Sequence, residues 1–526
     1  MPNYLSPGVY MEEVDRGAKP IEAVGTAVAA FIGYTDKASD IKNGQPVSLL
    51  GKPTLVTNWS QYVAKFGAFV KGAYMPDSVY GYFANGGSIA YIVSIKTLGE
   101  ASDPDSATAA KGSVNSEGDK PVKLLDFTAK KAGPAGNNIE VELKREAPKD
   151  GEDPKKASPA FTLIVKESGA VKETFPNVTL GKGDNNVQTV VETQSQILTA
   201  VVVGKADLVP ASGATKLAGG EIKEKAISLA DYQGSAVTRT GFGGLEAFDD
   251  VTMLVAPDLM TSFEAGEVDM KGVQAVQQAM IDYCELVRYC FAILDAPPAL
   301  TPQEVKEWRL EVNYDTTRAA LYYPWIEIAD MTGNPGRTRL VPPSGHMAGV
   351  YARVDNTRGV HKAPANEIVR TTLGLGMKVT KGEQDLLNPL GINCIRSFPG
   401  RGIRIWGART LTSDPSWKYI NVRRLFNMIE ESIERSTQWV VFEPNDARLW
   451  GRVRRDVKAF LTMVWRTGAL FGASPDSAFY VKCDEETNPP EARDLGQMVV
   501  EVGVAPTKPA EFVIFRIGQW AGPGSE

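Results

Sequence analysis

Histidine is the scarcest of the chemically versatile residues here: His346 and His361 are the only two among 526. Both fall in "PPSGHMAGVYARVDNTRGVHKAPAN", with Ser344 two positions before His346. A serine near a histidine is raw material for nucleophilic hydrolysis, in which imidazole takes the hydroxyl proton. The local pattern argues against that use. There is no G-x-S-x-G elbow, and residues two apart do not easily reach nucleophile–base geometry. The stretch reads better as a helix over 343–355, with Gly345, Ala348, Gly349 and Ala352 as a small-residue face for close packing. Cys284, Cys290, Cys394 and Cys483 have neither CxxC nor zinc spacing and read as small buried thiols. "GKGDN", "GFGGLE" and "LGLGMK" hold no Walker A loop and no full G-x-G-x-x-G, so each reads as turn glycine. Adjacent acids such as Asp249 and Asp250 mostly point apart and give no carboxylate pair facing a common site. The sequence singles out no catalytic residue, cofactor or metal site; the scarcity of histidine argues against an enzyme, while chemistry run by carboxylates or lysines stays open.

The elements that would position any site follow from periodicity and punctuation. "SIAYIVSIKT" puts Ile89, Tyr91 and Val93 on one side and Ala90, Ile92 and Ser94 on the other, a strand buried on two faces. The glycine-bounded apolar run over 24–34 reads as another. From Asp249 onward, strands such as "VTMLVAPD", "CFAILDAPP" and "RAALYYPWIEIAD" alternate with helices. One helix carries Val273, Val276, Met280 and Tyr283 at helical spacing. Another opens with Thr301 as N-cap, Pro302 at the first position and Glu304 closing a capping box. This is α/β grammar with a substantially parallel sheet. Between about 100 and 240 the grammar changes to short alternating runs, "NNIEVELK", "FTLIVKES" and "VKETFPNVTL", separated by turn residues. These predict a β-rich domain inserted into an α/β core. The expected division is an N-terminal arm over 1–22, core over 23–99 and 241–505, insertion over 100–240, and a C-terminal arm over 506–526.

Two amphipathic helices come late. Val422, Leu425, Phe426, Ile429 and Ile433 stripe the first, with Arg423, Arg424, Glu431, Glu434 and Arg435 placed largely elsewhere. Asn445 is expected to cap the second, whose core face is Leu449, Val453, Val457, Phe460, Leu461 and Val464. Arg448, Arg452 and Arg455 recur on its other side. The window 401–466 holds 13 basic and 7 acidic side chains, while the whole chain carries a net charge of −6. That local reversal suits docking on an acidic partner, or equally a solvated face with intrahelical pairing such as Arg452 to Asp456. The overall charge is not that of a nucleic-acid binder, and no run is long and apolar enough to span a bilayer. With no signal peptide evident, the expected place of folding is a cytoplasm.

Runs at both ends are strand-like yet have no obvious partner. "YLSPGVYMEEV" alternates sparsely at Val9, Met11 and Val14. "EFVIFRI", over 511–517, follows the proline-containing "APTKPA" and would be an aggregation hazard if left unpaired.

Taken with "AKKAGPAGNNIEVEL", "SLADYQG", "RTGFGGLEAFDDVTMLVAPD" and "NPLGINCIRSFPGRGIRIWGARTL", these stretches make the chain resemble the sheath proteins of contractile phage tails and related contractile injection systems. The resemblance covers nearly the whole chain in order. It implies a structural subunit that stacks as hexameric rings in a helical tube around an inner tube and contracts to drive that tube through a target envelope. It implies other copies of the chain, an inner tube protein, and baseplate and terminal cap proteins as partners, with no direct contact to nucleic acid and no membrane insertion. It implies assembly in the cytoplasm of a producing bacterium into a phage tail or phage-tail-like particle. It also implies that both terminal arms add strands to neighbouring subunits, with Val9, Met11, Phe512 and Ile514 as the expected strand-burying residues and 17–20 and 505–509 as hinges. Arg448, Arg452 and Arg455 are the expected inner-tube contact. An α/β hydrolase-like enzyme, or another component of a contractile tail, is the alternative.

Overall fold

The computed structural model describes residues 20–42, 44–99, 107–118, 120–145, 160–206, 208–222, 226–333 and 336–517. Val9 and Met11 lie outside them. The apolar runs bounded by glycine and proline form one eight-stranded sheet. From edge to edge its strands are Gly402–Ile405, Ile392–Phe398, Ala319–Tyr323, Phe291–Asp295, Met253–Val255, Val28–Thr35, Ile89–Thr97 and Thr54–Val56. The six inner strands are parallel and the outermost on each side is antiparallel. The fold class is therefore mixed α/β, as the alternation of elements predicts.

Both faces of this sheet are buried. Tyr91, Val93, Ile32 and Leu254 pack on one side with Val273, Val276, Met280 and Tyr283 of the helix Met270–Val287. Ala90, Ile92, Phe31 and Val255 pack on the other with the helices Met75–Asn85 and Ser344–Arg358. Those two helices approach closely because the expected small-residue face is where they meet. A Cβ on Gly349 would sit 2.5 Å from the Tyr82 carbonyl oxygen, and one on Gly345 would sit 2.7 Å from the Ser78 Cα. Backbone would have to yield at either site, at a cost of about 1–3 kcal/mol.

Local signals hold where their partners are near in sequence. Thr301 and Glu304 form the capping box ahead of Pro302–Val312. The stretch expected as a single strand from 318 to 330 is divided. Ala319–Tyr323 lies in the central sheet, while Ile326–Ala329 joins Thr338–Val341 and Gly374–Leu375 in a sheet of three. Pro324 has no N–H for the ladder, and the first strand stops before it. The second late helix, Ala447–Arg466, is capped by Asp446, not by Asn445; the Asp446 carboxylate accepts from the Arg448 and Leu449 amides. Asn445 instead accepts from the Trp450 indole and donates to the Gln497 carbonyl.

Residues 107–222 make separate sheets of four, three and two strands. Phe161–Glu167 pairs with both Ile139–Arg145 and Ala170–Val178, and Lys123–Ala129 with both Leu198–Val202 and Lys111–Asn115. Inward residues alternate along them, and Phe127, Val141, Leu163, Val165 and Leu198 share one cluster.

Candidate functional site

The carboxyl end of a parallel sheet, where strand order reverses, is where α/β enzymes bind ligands. Here the reversal falls between Val28–Thr35 and Met253–Val255, and a buried side chain of the chain itself fills it. Asp258 follows the second strand. Its Oδ2 accepts from the Tyr34 and Met75 amides at 2.6 and 3.1 Å, and its Oδ1 from the Tyr74 amide at 2.5 Å and the Thr261 hydroxyl at 2.8 Å. Burial pushes the carboxyl up to about 6 despite these four donors. The carboxylate also occupies the space a Cβ on Gly33 would need. Asp258 thus ties the sheet to the loop entering Met75–Asn85. Replacing it with Asn turns one acceptor into a donor that faces two donors. Asp258→Asn is expected to lower stability by about 2–4 kcal/mol, read from urea unfolding of the variant against the parent.

Ser344 and His346 do not form a nucleophile–base couple. The Ser344 hydroxyl donates to Asp295 Oδ2 at 2.5 Å and its amide to Oδ1 at 2.8 Å. His346 Nε2 meets the Thr371 hydroxyl at 3.1 Å, and burial pushes the imidazole down to about 4. A cleft of about 160 Å³ lies beyond the strands, lined by Tyr74, Pro297, Leu300, Tyr323, Trp325 and Met377. That volume is below the roughly 300–1,000 Å³ of small-molecule sites.

The densest polar architecture lies elsewhere, on the helix Ile420–Ser436. It fastens two segments that are far apart in sequence. On one side, Arg424 donates to both oxygens of Asp355 at 2.9 and 2.7 Å and to the Thr26 carbonyl at 2.8 Å. Thr26 returns its hydroxyl to Asp355 Oδ2, and the Val24 amide donates to the Ser432 hydroxyl. Ile21 is buried in the cluster with Leu425 and Ile429. On the other side, the Asn421 amide donates to the Thr507 carbonyl. Tyr419, the residue that opens the helix, donates its hydroxyl to Glu511. Arg423, Arg424 and Glu431, which fall largely off the apolar stripe, are nevertheless all buried. They are tolerated there because each is paired: Arg423 with Glu430, Arg424 with Asp355, and Glu431 with Arg435.

Glu511 closes the second fastening. It takes two hydrogen bonds from Arg409, one from Asn388 and one from Tyr419, and lies 3.3 Å from Lys418. Partial burial alone would raise its carboxyl, but the bonds from Arg409, Asn388 and Tyr419 outweigh that and hold it at about 2. A depressed carboxylate contributes stability above its unfolded value, 4.5, and loses it as pH falls from there to about 2. With allowance for its partial exposure, the contribution is about 2 kcal/mol. Glu511→Gln is expected to flatten the parent's fall in stability across that window, measured as the difference between their unfolding free energies at each pH. The hinge expected over 505–509 is displaced by these contacts. Ala505 bonds both Ala478 and Phe471, and Thr507 bonds Ala469.

Beyond Glu511, residues 512–517 make no hydrogen bond or ion pair among the described residues. The expected strand over 511–517 has no ladder partner among the described residues. Phe512 and Ile514 are 70% and 78% exposed, and Val513, Phe515 and Ile517 are exposed beside them. Nearby stands a two-stranded antiparallel sheet, Phe479–Lys482 with Glu501–Val504. The second strand is shorter than the expected 498–504. Phe479 and Val481 seal one face of this sheet on Val457, Phe460 and Leu461 of the helix Ala447–Arg466. Its outer edges carry no further strand among the described residues.

The arginines of that helix differ from one another. Arg448 is exposed in the first turn. Arg452 is half-buried, its guanidinium 4.5 Å from the Trp439 ring and 3.4 Å from Glu443. Arg455 is exposed and pairs with Asp456 at 3.1 Å. Part of the local basic excess is internal, since Arg409, Arg423 and Arg424 are buried in ion pairs.

Residues 247–411 match the family model for the phage tail sheath protein central domain, and residues 412–519 that for the phage tail sheath C-terminal domain. The two matches run without a gap over more than half of the chain. The chain belongs to the tail sheath family. The tail sheath protein of Burkholderia phage BcepMu is 24% identical over 540 residues, covering 98% of this chain and 96% of that one. That of Vibrio phage KVP40 is 25% identical over 386 residues, and the match spans about half of it, 54%. Among solved structures, the sheath complex of the extracellular contractile injection system PVC, in its contracted state, superposes with a TM-score of 0.55 at 25% identity over 99% of both chains. The contracted helical sheath of the anti-feeding prophage shares the fold, with a TM-score of 0.59 at 23% identity over 98% of this chain and 99% of that one.

Proposed function

We propose that this chain is the repeating structural subunit of a contractile sheath in a phage tail or phage-tail-like injection particle, assembled in the cytoplasm of the producing bacterium. Subunits stack as hexameric rings around an inner tube, between baseplate and cap. Contraction drives the tube through a target envelope. The observation that carries this reading is the exposed apolar run after Glu511, together with a two-stranded sheet whose outer edges carry no further strand among the described residues. An unpaired strand and an unpaired edge in one molecule are complementary in two copies. The arms over 1–22 and 506–526 then add strands to neighbours, with Val9 and Met11 on one and Phe512 and Ile514 on the other. Fastening both segments to Ile420–Ser436 lets a pull on either arm be borne by one rigid helix. Residues 100–240 form the outward-facing insertion. Deleting residues 1–20 is expected to abolish tubes seen by negative-stain microscopy while leaving a folded monomer; persistent tubes would reject strand exchange by this segment.

The contact with the inner tube must template assembly and then release. Exposed charge pairs suit this, each worth under about 1 kcal/mol and screened by salt. Arg448, Arg452 and Arg455 supply them. Reversing all three to Glu is expected to give sheath without enclosed tube, and normal tube-filled sheath would reject the assignment.

A further inference from the structure

Immediately before the helix Ala447–Arg466 the chain makes a tight turn that its own sequence opposes. The Glu443 amide donates to the Val440 carbonyl at 3.1 Å. Val441 has φ −64° and ψ 129°, and Phe442 has φ +67°. These values define a type II turn, whose third position favours glycine because φ is positive. A phenylalanine occupies it. Among the described residues with left-handed φ outside glycine it is the only aromatic. The ring gains nothing in return from its own chain: Phe442 is 102% exposed, and Val441 beside it 59%. A bulky side chain held in a disfavoured backbone conformation and left in water raises the free energy of the isolated chain twice over.

A second residue on the same surface is also placed against local preference. Arg448 stands in the first turn of the helix, where the positive end of the helix dipole disfavours a cation. It makes no ion pair among the described residues. Arg452 joins turn and helix into one surface, stacking on Trp439 and reaching Glu443 across the base of the turn.

We propose that Phe442 is the apolar anchor of the basic face, inserting into an apolar depression bordered by acidic groups on the inner tube. This rests on the assignment of Arg448, Arg452 and Arg455 to the tube contact and deepens it. Screened charge pairs steer and register the contact; a single desolvated aromatic ringed by polar groups supplies the affinity. Because the anchor is one side chain at a turn tip, it withdraws as a unit when the subunit moves away.

The test uses the full-length chain co-produced with the inner-tube protein of the same particle, comparing the parent, Phe442→Gly, Phe442→Asn and the triple arginine reversal. Glycine and asparagine both suit the backbone of the turn, so neither should lower the melting temperature. Both are expected to reduce the tube retained per sheath by roughly 30-fold, with self-assembly in the absence of tube protein unchanged. Normal tube retention by Phe442→Gly would overturn the proposal. If the arginine reversal still lost the tube, the tube face itself would stand without this anchor. Loss of tube-free self-assembly by Phe442→Gly would also overturn it, since the ring would then join copies of this chain. Loss of tube in Phe442→Gly but not in the arginine reversal would support the anchor and reject the arginine contact.

Discussion

Cutting the chain after Glu511 is expected to leave a monomer that melts like the parent and no longer forms tubes. The first half follows from what residues 512–517 touch: their side chains are exposed, and the anchoring carboxylate of Glu511 is retained. Removing exposed residues that make no hydrogen bond or ion pair among the described residues changes stability by no more than about 0.5 kcal/mol. The second half follows from what they would bury. Alternation puts Phe512, Ile514 and Arg516 on one side and Val513, Phe515 and Ile517 on the other. Burying two or three of these at about 2 kcal/mol each contributes roughly 5 kcal/mol per joint, or about three orders of magnitude in association. A helical polymer repeats that loss at every joint. Sedimentation would read the result, with the truncated chain remaining at monomer size at concentrations where the parent pellets. Pelleting of the truncated chain at parental concentrations would place the strand exchange elsewhere.

The second large effect concerns Arg424, 4% exposed and paired with Asp355, 3% exposed. Its guanidinium also lies 4.9 Å from the Tyr351 ring. Arg424→Ala strands a buried carboxylate and leaves the Thr26 carbonyl without this donor. The expected cost is about 3–5 kcal/mol. Arg424→Lys should recover little, because an ammonium cannot reproduce the two-pronged bond to Asp355 and the third bond to Thr26 together. By contrast, Lys482→Ala breaks an exposed pair with Glu486 and should leave the unfolding free energy close to the parent's. Measuring all three in the chain ending at Glu511 keeps the comparison free of polymerisation. Equal effects for Arg424→Ala and Lys482→Ala would show that the fastening of residues 24–26 carries no strain-bearing role.

What could be read from the sequence was whatever depended on near neighbours. The two-sided burial of Ile89–Thr97 followed from its apolar residues on both sides of the alternation. The small-residue face of Ser344–Arg358 was visible at i, i+3, i+4 and i+7. The Thr301 capping box needed only four residues. The fastening site was not legible, because its partners are hundreds of positions apart. Arg424 falls off the apolar stripe of its helix, and only the fold brings Asp355 and Thr26 to it. Glu511 is bound by residues 388, 409 and 419, and no local pattern marks it. Asp258 carries no local signal of its role, and only the sheet topology shows that it closes the crevice. The basic window shows an excess of positive charge, but periodicity cannot separate an arginine paired inside from one left outside. Arg423 and Arg448 differ in that respect and in little that the sequence displays.

The most direct test of the central claim is negative-stain microscopy of the purified full-length chain. Long, wide, helically striated tubes are expected, lost on truncation after Glu511. A uniform population of monomers from the full-length chain, under conditions where it is folded, would contradict it.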